Sequence, residues 1–226
     1  MAQHGLSTKA HDQIDVNAYY QRVYKALEKY DGKTVLDIFS GGGRDIKDMY
    51  LQLEGNGKFI AIDSEAQRLV DMVSKNFQTA LQHGFTYHIV DSQAALDDTL
   101  GAGNIAVIQG VFPATPLGNK DQKSDIDLKA DFILCNAGIM FTPPQDLAPT
   151  LQAMAGLLKS KGELTLRFSG AREDKKQQTG QSYHVHNVET VQHILETHGL
   201  NVTRHDNLDD PNGRPFQWAD LQAIKP

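Results

Sequence analysis

Residues 35–45 read VLDIFSGGGRD: four apolar residues around one acid, a serine, three consecutive glycines and a charged pair. The first five residues have the composition of a buried strand. Glycine weakens a packed element, so a cluster of it directly after a strand marks a place where the backbone turns sharply or lies bare against something other than protein. In an open parallel sheet such a turn forms the floor of a ligand site beyond the strand tips.

Outward from this stretch the chain alternates two patterns. Short β-branched and aromatic runs, TVLDIF (34–39), GKFIAI (57–62), IAVIQG (105–110), DFILCN (131–136) and ELTLRF (163–168), read as strands buried on both faces. Between them, residues 44–54, 65–82 and 146–159 carry apolar positions three and four apart, the last with Leu147, Leu151, Met154, Leu157 and Leu158 in one stripe. Repeated strand, helix, strand predicts an α/β fold with a mostly parallel sheet and helices on both faces. After the polar stretch 170–181 come a helix pattern at 187–198 and two strand-like runs, LNVTRHDNL (200–208) and FQWADLQAI (216–224), joined by DDPNGRP. That is a hairpin signal, and it closes a seven-stranded sheet with an antiparallel pair. Residues 83–104 fit either an additional strand or a helical insertion. KSKG (159–162) reads as a helix stop with Gly162 as C-cap.

Composition narrows the function. In 226 residues, 22 basic against 28 acidic side chains give a formal charge of -6, which offers no basic field for a nucleic acid backbone. Cys135 is the single cysteine, so an internal disulfide and a multi-cysteine zinc site are excluded, and a reducing compartment fits. The polar start and the lack of a long apolar run are expected of a cytoplasmic protein without a membrane span. His184, His186, His193, His198 and His205 have no acid or cysteine at metal-ligand spacing, so no metal is expected.

Two signals define the ligand. Gly41 and Gly43 allow a tight turn and close approach of the backbone, and Asp63 ends the next strand twenty positions after Gly43, where a carboxylate can accept both hydroxyls of a ribose. Asp63 also reads as a helix N-cap. Ile46 stands where a dinucleotide fingerprint has its third glycine, and GGGRD has no lysine followed by Ser or Thr for a triphosphate. A nucleoside without phosphates suits the loop.

These residues resemble the class I S-adenosylmethionine-dependent methyltransferases, over about 34–168. Asp37, Gly41, Gly43 and Arg44-Asp45 match the family's first motif and Asp63 its second. IAVIQGVFPATPL, DFILCNAGIMF and DLAPTLQAMAGLLKSKGELTLRF are similar to its later strands and loops. The resemblance implies a single Rossmann-like domain, with residues 1–33 as a helical cap and 34–226 as the methyltransferase-like domain. It implies S-adenosylmethionine held by Asp37, Ser40, Gly41, Gly42, Gly43, Arg44, Asp45, Asp63, Ser64, Arg68, Val111, Phe112 and Asn136, with Gln109 near the adenine. Two positions depart from the pattern: Phe39 replaces the usual first glycine, and Val111 with Phe112 stands where an acid commonly meets the adenine amine. His184 and His186 follow the loop that contributes to the family's acceptor pocket, and Tyr20 lies on the leading helix; these are the catalytic candidates. The expected reaction is in-line methyl transfer to a small molecule. Methylation of RNA, DNA or protein and non-catalytic cofactor binding are the alternatives. Against the first, CNAGIMF lacks the Asn or Asp, two prolines and an aromatic of base methylases, since Pro143 and Pro144 come later.

Overall fold

The computed structural model describes residues 18–76, 84–110, 126–170, 184–209 and 217–226, with the side chains of residues 18–20, 72–76, 170, 204–209 and 217 left aside. The stretch 171–183, most of the turn cluster at 209–215, and Val111 and Phe112 lie outside them, as does the side chain of Tyr20.

One eight-stranded sheet organises the chain. The strands are β1 (Thr34–Ile38), β2 (Lys58–Asp63), β3 (Tyr87–Val90), β4 (Ile105–Gln109), β5 (Ala130–Asn136), β6 (Leu158–Gly170), β7 (Asn201–Asp209) and β8 (Gln217–Ile224). Their order is β3-β4-β2-β1-β5-β6-β8-β7. The first six run parallel, and β8 pairs antiparallel with both β6 and β7. The eighth strand, absent from the seven predicted, is β3. It comes from the segment that the sequence pattern left open and adds an edge beyond β4, followed by the helix α4 (Gln93–Gly101). The other helices among the described residues are α1 (Ala18–Leu27), α2 (Arg44–Gln52), α3 (Ala66–Asn76), α5 (Pro144–Leu157) and α6 (Val188–Thr197).

Alternation along each strand splits the core into two layers. Leu36, Ile38, Ile60, Ile133, Leu164 and Leu166 point to the side of α5 and α6, packing on Leu151, Met154, Val191 and Leu195. Val35, Phe59, Val107 and Phe132 point the other way, onto Val23 and Leu27 of α1, Ile46 and Met49 of α2 and Leu69 of α3. Each such side chain contributes roughly 1.5–3 kcal/mol by leaving water. The even spacing of these apolar positions is what makes the strands legible as doubly covered.

The connectivity places a crevice. From β1 the chain runs to β2 on one side, and it returns to β5 on the other side only after β4. The carboxyl ends of β1 and β5 therefore bound a topological switch point, where ligands of open α/β sheets gather. VLDIFSGGGRD ends at one lip of it and CNAGIMF at the other.

Gly162 has a different role from the one its sequence suggests. α5 ends at Leu157 and its cap, Leu158, is already extended, so no glycine stops the helix. Lys161 takes φ 64 inside β6, and Gly162 follows where a Cβ would stand 2.9 Å from the Lys159 carbonyl and 3.1 Å from that of Ala130. Three backbone carbonyls crowd the site, and none can yield cheaply. Gly162→Ala is expected to destabilise the fold by about 1–3 kcal/mol, read as a lower urea midpoint at unchanged slope.

Candidate functional site

The site begins where β1 ends. Phe39 leaves the strand with φ 60, a left-handed conformation rare for a side chain of its size. Its N–H and that of Ser40 both donate to the carbonyl of Ile62, at 2.9 and 3.3 Å, so the chain leans over the tip of β2. The Phe39 ring fills the space beside Gly138, where a Cβ would meet it at 2.4 Å. Phe39 thus keeps the conformation that a glycine would take, and a glycine on the neighbouring strand end makes room for its ring.

The next turn closes through Gly43 N–H to the Ser40 carbonyl, 2.9 Å. Gly41 and Gly43 have φ 55 and 70, and Gly43 caps α2 from the left-handed region. Gly41 is exposed, and among the described residues a Cβ built on it would meet nothing nearer than the Phe39 carbonyl at 3.9 Å. Its Cα face is open among the described residues, and its N–H is taken by Asp63. Gly42 is half-buried and Gly43 buried.

Asp63 stands against this turn. One carboxylate oxygen accepts from Gly41 N–H at 2.8 Å and the other from Glu65 N–H at 2.9 Å, so it caps the turn before α3 and braces the glycine turn together. Each oxygen keeps a further acceptor direction. Ser64 is exposed, and its carbonyl accepts from Gln109 at 3.4 Å across the strand tips. Arg68 is exposed and paired with Glu65 on the outer face of α3.

Acids gather on the other side of the turn. Asp37 is only 2 % exposed, and the Ser40 hydroxyl donates to it. Burial, then the charge of Asp45, push its carboxyl well above the usual range, against the bonds from Ser40 and the Ile46 N–H. Ile46 lies in the first turn of α2, so Asp37 supplies from β1 the N-terminal cap that Gly43 cannot. Asp45 is held by Arg44 at 2.9 Å and by the amide of Asn136, from the tip of β5, at 2.8 Å. Arg44 is thereby engaged with its own neighbour. These bonds tie the two lips of the crevice together.

The structure brings Asp37, Ser40, Gly41, Gly42, Gly43, Arg44, Asp45, Asp63 and Asn136 to one place. The histidines stand on the β5 side. His184 is half-buried, and its N–H donates to the Met140 carbonyl at 2.7 Å. His186 is buried, and its Nε2 must carry the proton it gives to the Ile139 carbonyl at 2.9 Å. Burial lowers its pKa and keeps it neutral, and through that bond His186 braces the short 3-10 turn Gly138–Phe141. Two tyrosines outside the candidate set also belong to this region. Tyr24 of α1 lies in the field of Asp48, Asp45 and Arg44, with its hydroxyl pushed up to about 12, chiefly by burial. Tyr87 of β3 reaches the Gly43 carbonyl at 3.5 Å. The helical spacing of Tyr24 with Tyr20 was a signal for a buried face; nothing in the sequence marked Tyr87.

Two outcomes check this geometry. Gly138→Ala is expected to cost about 1–3 kcal/mol by driving a methyl into the Phe39 ring, and Phe39→Ala in the same chain recovers part of that, a non-additivity that denaturation of the single and double variants measures. Asp37 has a carboxyl harder to ionise in the fold than in the unfolded chain. Its contribution to stability is therefore full below the ordinary carboxylate range and is lost as pH rises through the raised value. Asp37→Asn is expected to be more stable than the parent at pH 7 and to approach it as pH falls toward 4, read from denaturation midpoints across pH.

Neither a family model nor a curated protein matches the chain. Solved structures do. The YcgJ protein of Bacillus subtilis superposes with a TM-score of 0.59 at 16% identity, over 92% of this chain and 98% of that one. The magnesium protoporphyrin IX methyltransferase of Synechocystis, solved with bound S-adenosylmethionine, gives 0.61 at 14% identity, over 98% and 86%. A methyltransferase of Aquifex aeolicus dependent on the same cofactor gives 0.56 at 18% identity, over 96% and 95%. The chain therefore has the fold that these methyltransferases share.

Proposed function

We propose that the protein is an S-adenosylmethionine-dependent methyltransferase acting on a small molecule. The observation that carries this reading is the open Cα face of Gly41 at the switch point with the Asp63 carboxylate bonded beside it. The residues fit the cofactor by their chemistry. Asp63 retains acceptor capacity for a vicinal diol, the space over Gly41 is open among the described residues, and Asp37 with Asp45 forms an acidic end for a cationic amino acid head. Ser40, Gly42, Gly43, Arg44 and Asn136 shape that end through the bonds described above. Ser64 and Arg68 stand outside, at the rim, and Val111 and Phe112 are proposed for the adenine from the resemblance alone.

When bound, the cofactor supplies a sulfonium methyl whose leaving thioether is neutral and needs no acid. What remains for the chain is alignment, exclusion of water and a base where the acceptor carries a proton. His184, half-buried on the β5 lip, is proposed as that base, with His186 holding the turn beneath it. Residues 1–33 are proposed as the cap over the cleft, where α1 supplies Tyr24 and, with its side chain outside the described residues, Tyr20. The acidic balance of the chain supports a small acceptor over a nucleic acid. The single, buried Cys135 fits the reducing cytoplasm. Among the described residues no helix is long and apolar enough to cross a membrane.

Calorimetry with S-adenosylmethionine tests the site. Asp63→Ala removes the ribose acceptor and the brace on Gly41, and is expected to weaken binding by about 10- to 100-fold, the range of one or two charge-assisted hydrogen bonds. Equal binding by both proteins overturns the assignment. Transfer of labelled methyl from the cofactor to a fraction of small metabolites, and not to RNA or protein, then identifies the acceptor class.

A further inference from the structure

α1 docks on the sheet by two flanks. Val23, Ala26 and Leu27 form its buried stripe. Arg22 and Tyr24 stand about 100° to either side of Val23. On one flank Arg22 donates to Oδ2 of Asp220, on β8, at 2.5 Å. Asp220 is 2% exposed, and its other oxygen faces Arg167 Nε of β6 at 3.6 Å. The Arg167 guanidinium lies over the ring of Trp218, 5.0 Å from its centre. The Arg167 carbonyl accepts from Ala137 N–H at 2.6 Å, and the preceding residue is Asn136, whose amide holds Asp45. On the other flank the Tyr24 hydroxyl lies in the field of Asp48, Asp45 and Arg44. Both flanks of α1 thus lead to the acid beside the glycine turn, one through its field and one through β8, β6 and β5.

A second clamp repeats the arrangement. The Tyr30 hydroxyl, just past α1, donates at 3.2 Å to Glu163 of β6, which is also bonded by Gln222 of β8. A purely structural interface gains more from apolar side chains than from buried acids, whose desolvation offsets most of their attraction. Directional bonds suit a helix that is held in one place and let go.

We propose that Asp220 is a positioning residue for the site: through Arg22 it holds α1 against the helix that follows the glycine turn and sets how long the cofactor stays bound. This rests on the methyltransferase reading above for its ligand, and on the geometry alone for the coupling of α1 to the turn. Arg22 is partly exposed, so Arg22→Ala opens the latch without emptying the core and leaves Asp220 its ion pair with Arg167. Arg22→Lys keeps the charge without the fork.

Two measurements on the full chain decide it. Stopped-flow release of S-adenosylmethionine, followed by the emission of Trp218, the single tryptophan, is expected to be about tenfold faster in Arg22→Ala, the ratio that one charge-assisted hydrogen bond carries. Arg22→Lys lies between that and the parent. Hydrogen exchange in the ligand-free protein is expected to quicken at the amides of Ala137, Gly41 and Gly43 in Arg22→Ala, with Leu36 and Ile133 in the core unchanged. Unchanged release, or unchanged exchange at the glycine turn, overturns the proposal. Exchange that quickens equally in the core overturns it too, because Arg22 is then a general stabiliser. Should the parent protein not bind the cofactor, the methyltransferase reading falls, and the proposal with it as far as the ligand is concerned; the exchange data still decide whether α1 is coupled to the turn.

Discussion

The left-handed exit of the chain from β1 is the constraint on which the site depends. Only with Phe39 at φ 60 do two successive amides reach the Ile62 carbonyl, and only then does the glycine turn fold toward β2 so that Gly41 meets Asp63. Such a conformation costs a non-glycine residue about 1–2 kcal/mol. It is held by those two bonds and by the Phe39 ring, packed into the space that Gly138 leaves. The glycine missing from the first position of the motif therefore has a counterpart across the crevice. The two lips of the site are locked by a side chain from one and the absence of a side chain on the other. A second lock, Asn136 to Asp45, spans the same gap with a hydrogen bond.

Charge is distributed around this turn in a way that stability alone does not explain. Asp37, Asp45, Asp48 and Asp63 converge on the ends of β1 and β2, with Arg44 and Lys47 as the nearby cations, both engaged by neighbouring acids. Burial makes the Asp37 carboxyl resist ionisation, and the fold is expected to be weaker at neutral pH for it. Backbone N–H groups of Gly41, Glu65 and Ile46 meet part of the demand, which is why the acids sit at strand tips and helix starts, where such donors are left over. A site strained toward negative charge is stabilised by a cationic ligand, and functional sites are where folds carry such costs.

The sequence shows the strands whose apolar residues run without a break and hides those that do not. β1, β2, β4, β5 and β6 are buried on both faces near the centre of the sheet, so composition alone marks them. β3 lies on the edge with His88 and Ile89 exposed, and four residues with two of them outward carry neither a continuous nor an alternating signal. KSKG looked like a helix stop because glycine after lysines usually is one. The left-handed residue is Lys161, inside a strand, and Gly162 is there for close backbone packing. At Asp63 the sequence offered a cap or a ribose ligand as rivals, and the structure shows an acid bonded on both oxygens with capacity to spare. The contact of Arg22 with Asp220 spans 198 positions, a separation at which neither spacing nor motif carries any trace.

The two faces of the β6–β8 pair show what such long-range contacts are for. On one face Leu164, Leu166, Phe168, Ala219, Leu221 and Ala223 pack into the apolar core. On the other, residues of the same strands are Glu163, Thr165, Arg167, Ser169, Asp220 and Gln222, buried or nearly so. Strand propensity is common to both faces, so the difference lies in what each one meets: α5 and α6 on the first, α1 with the turn that follows it on the second. An apolar seam gains from every methylene and is costly to part. A seam of hydrogen bonds and ion pairs exchanges its partners for water at a small net cost, since water replaces each bond as it breaks. Such a seam is what the proposed cover requires, and it lies between the β6–β8 pair and α1 with the turn that follows it.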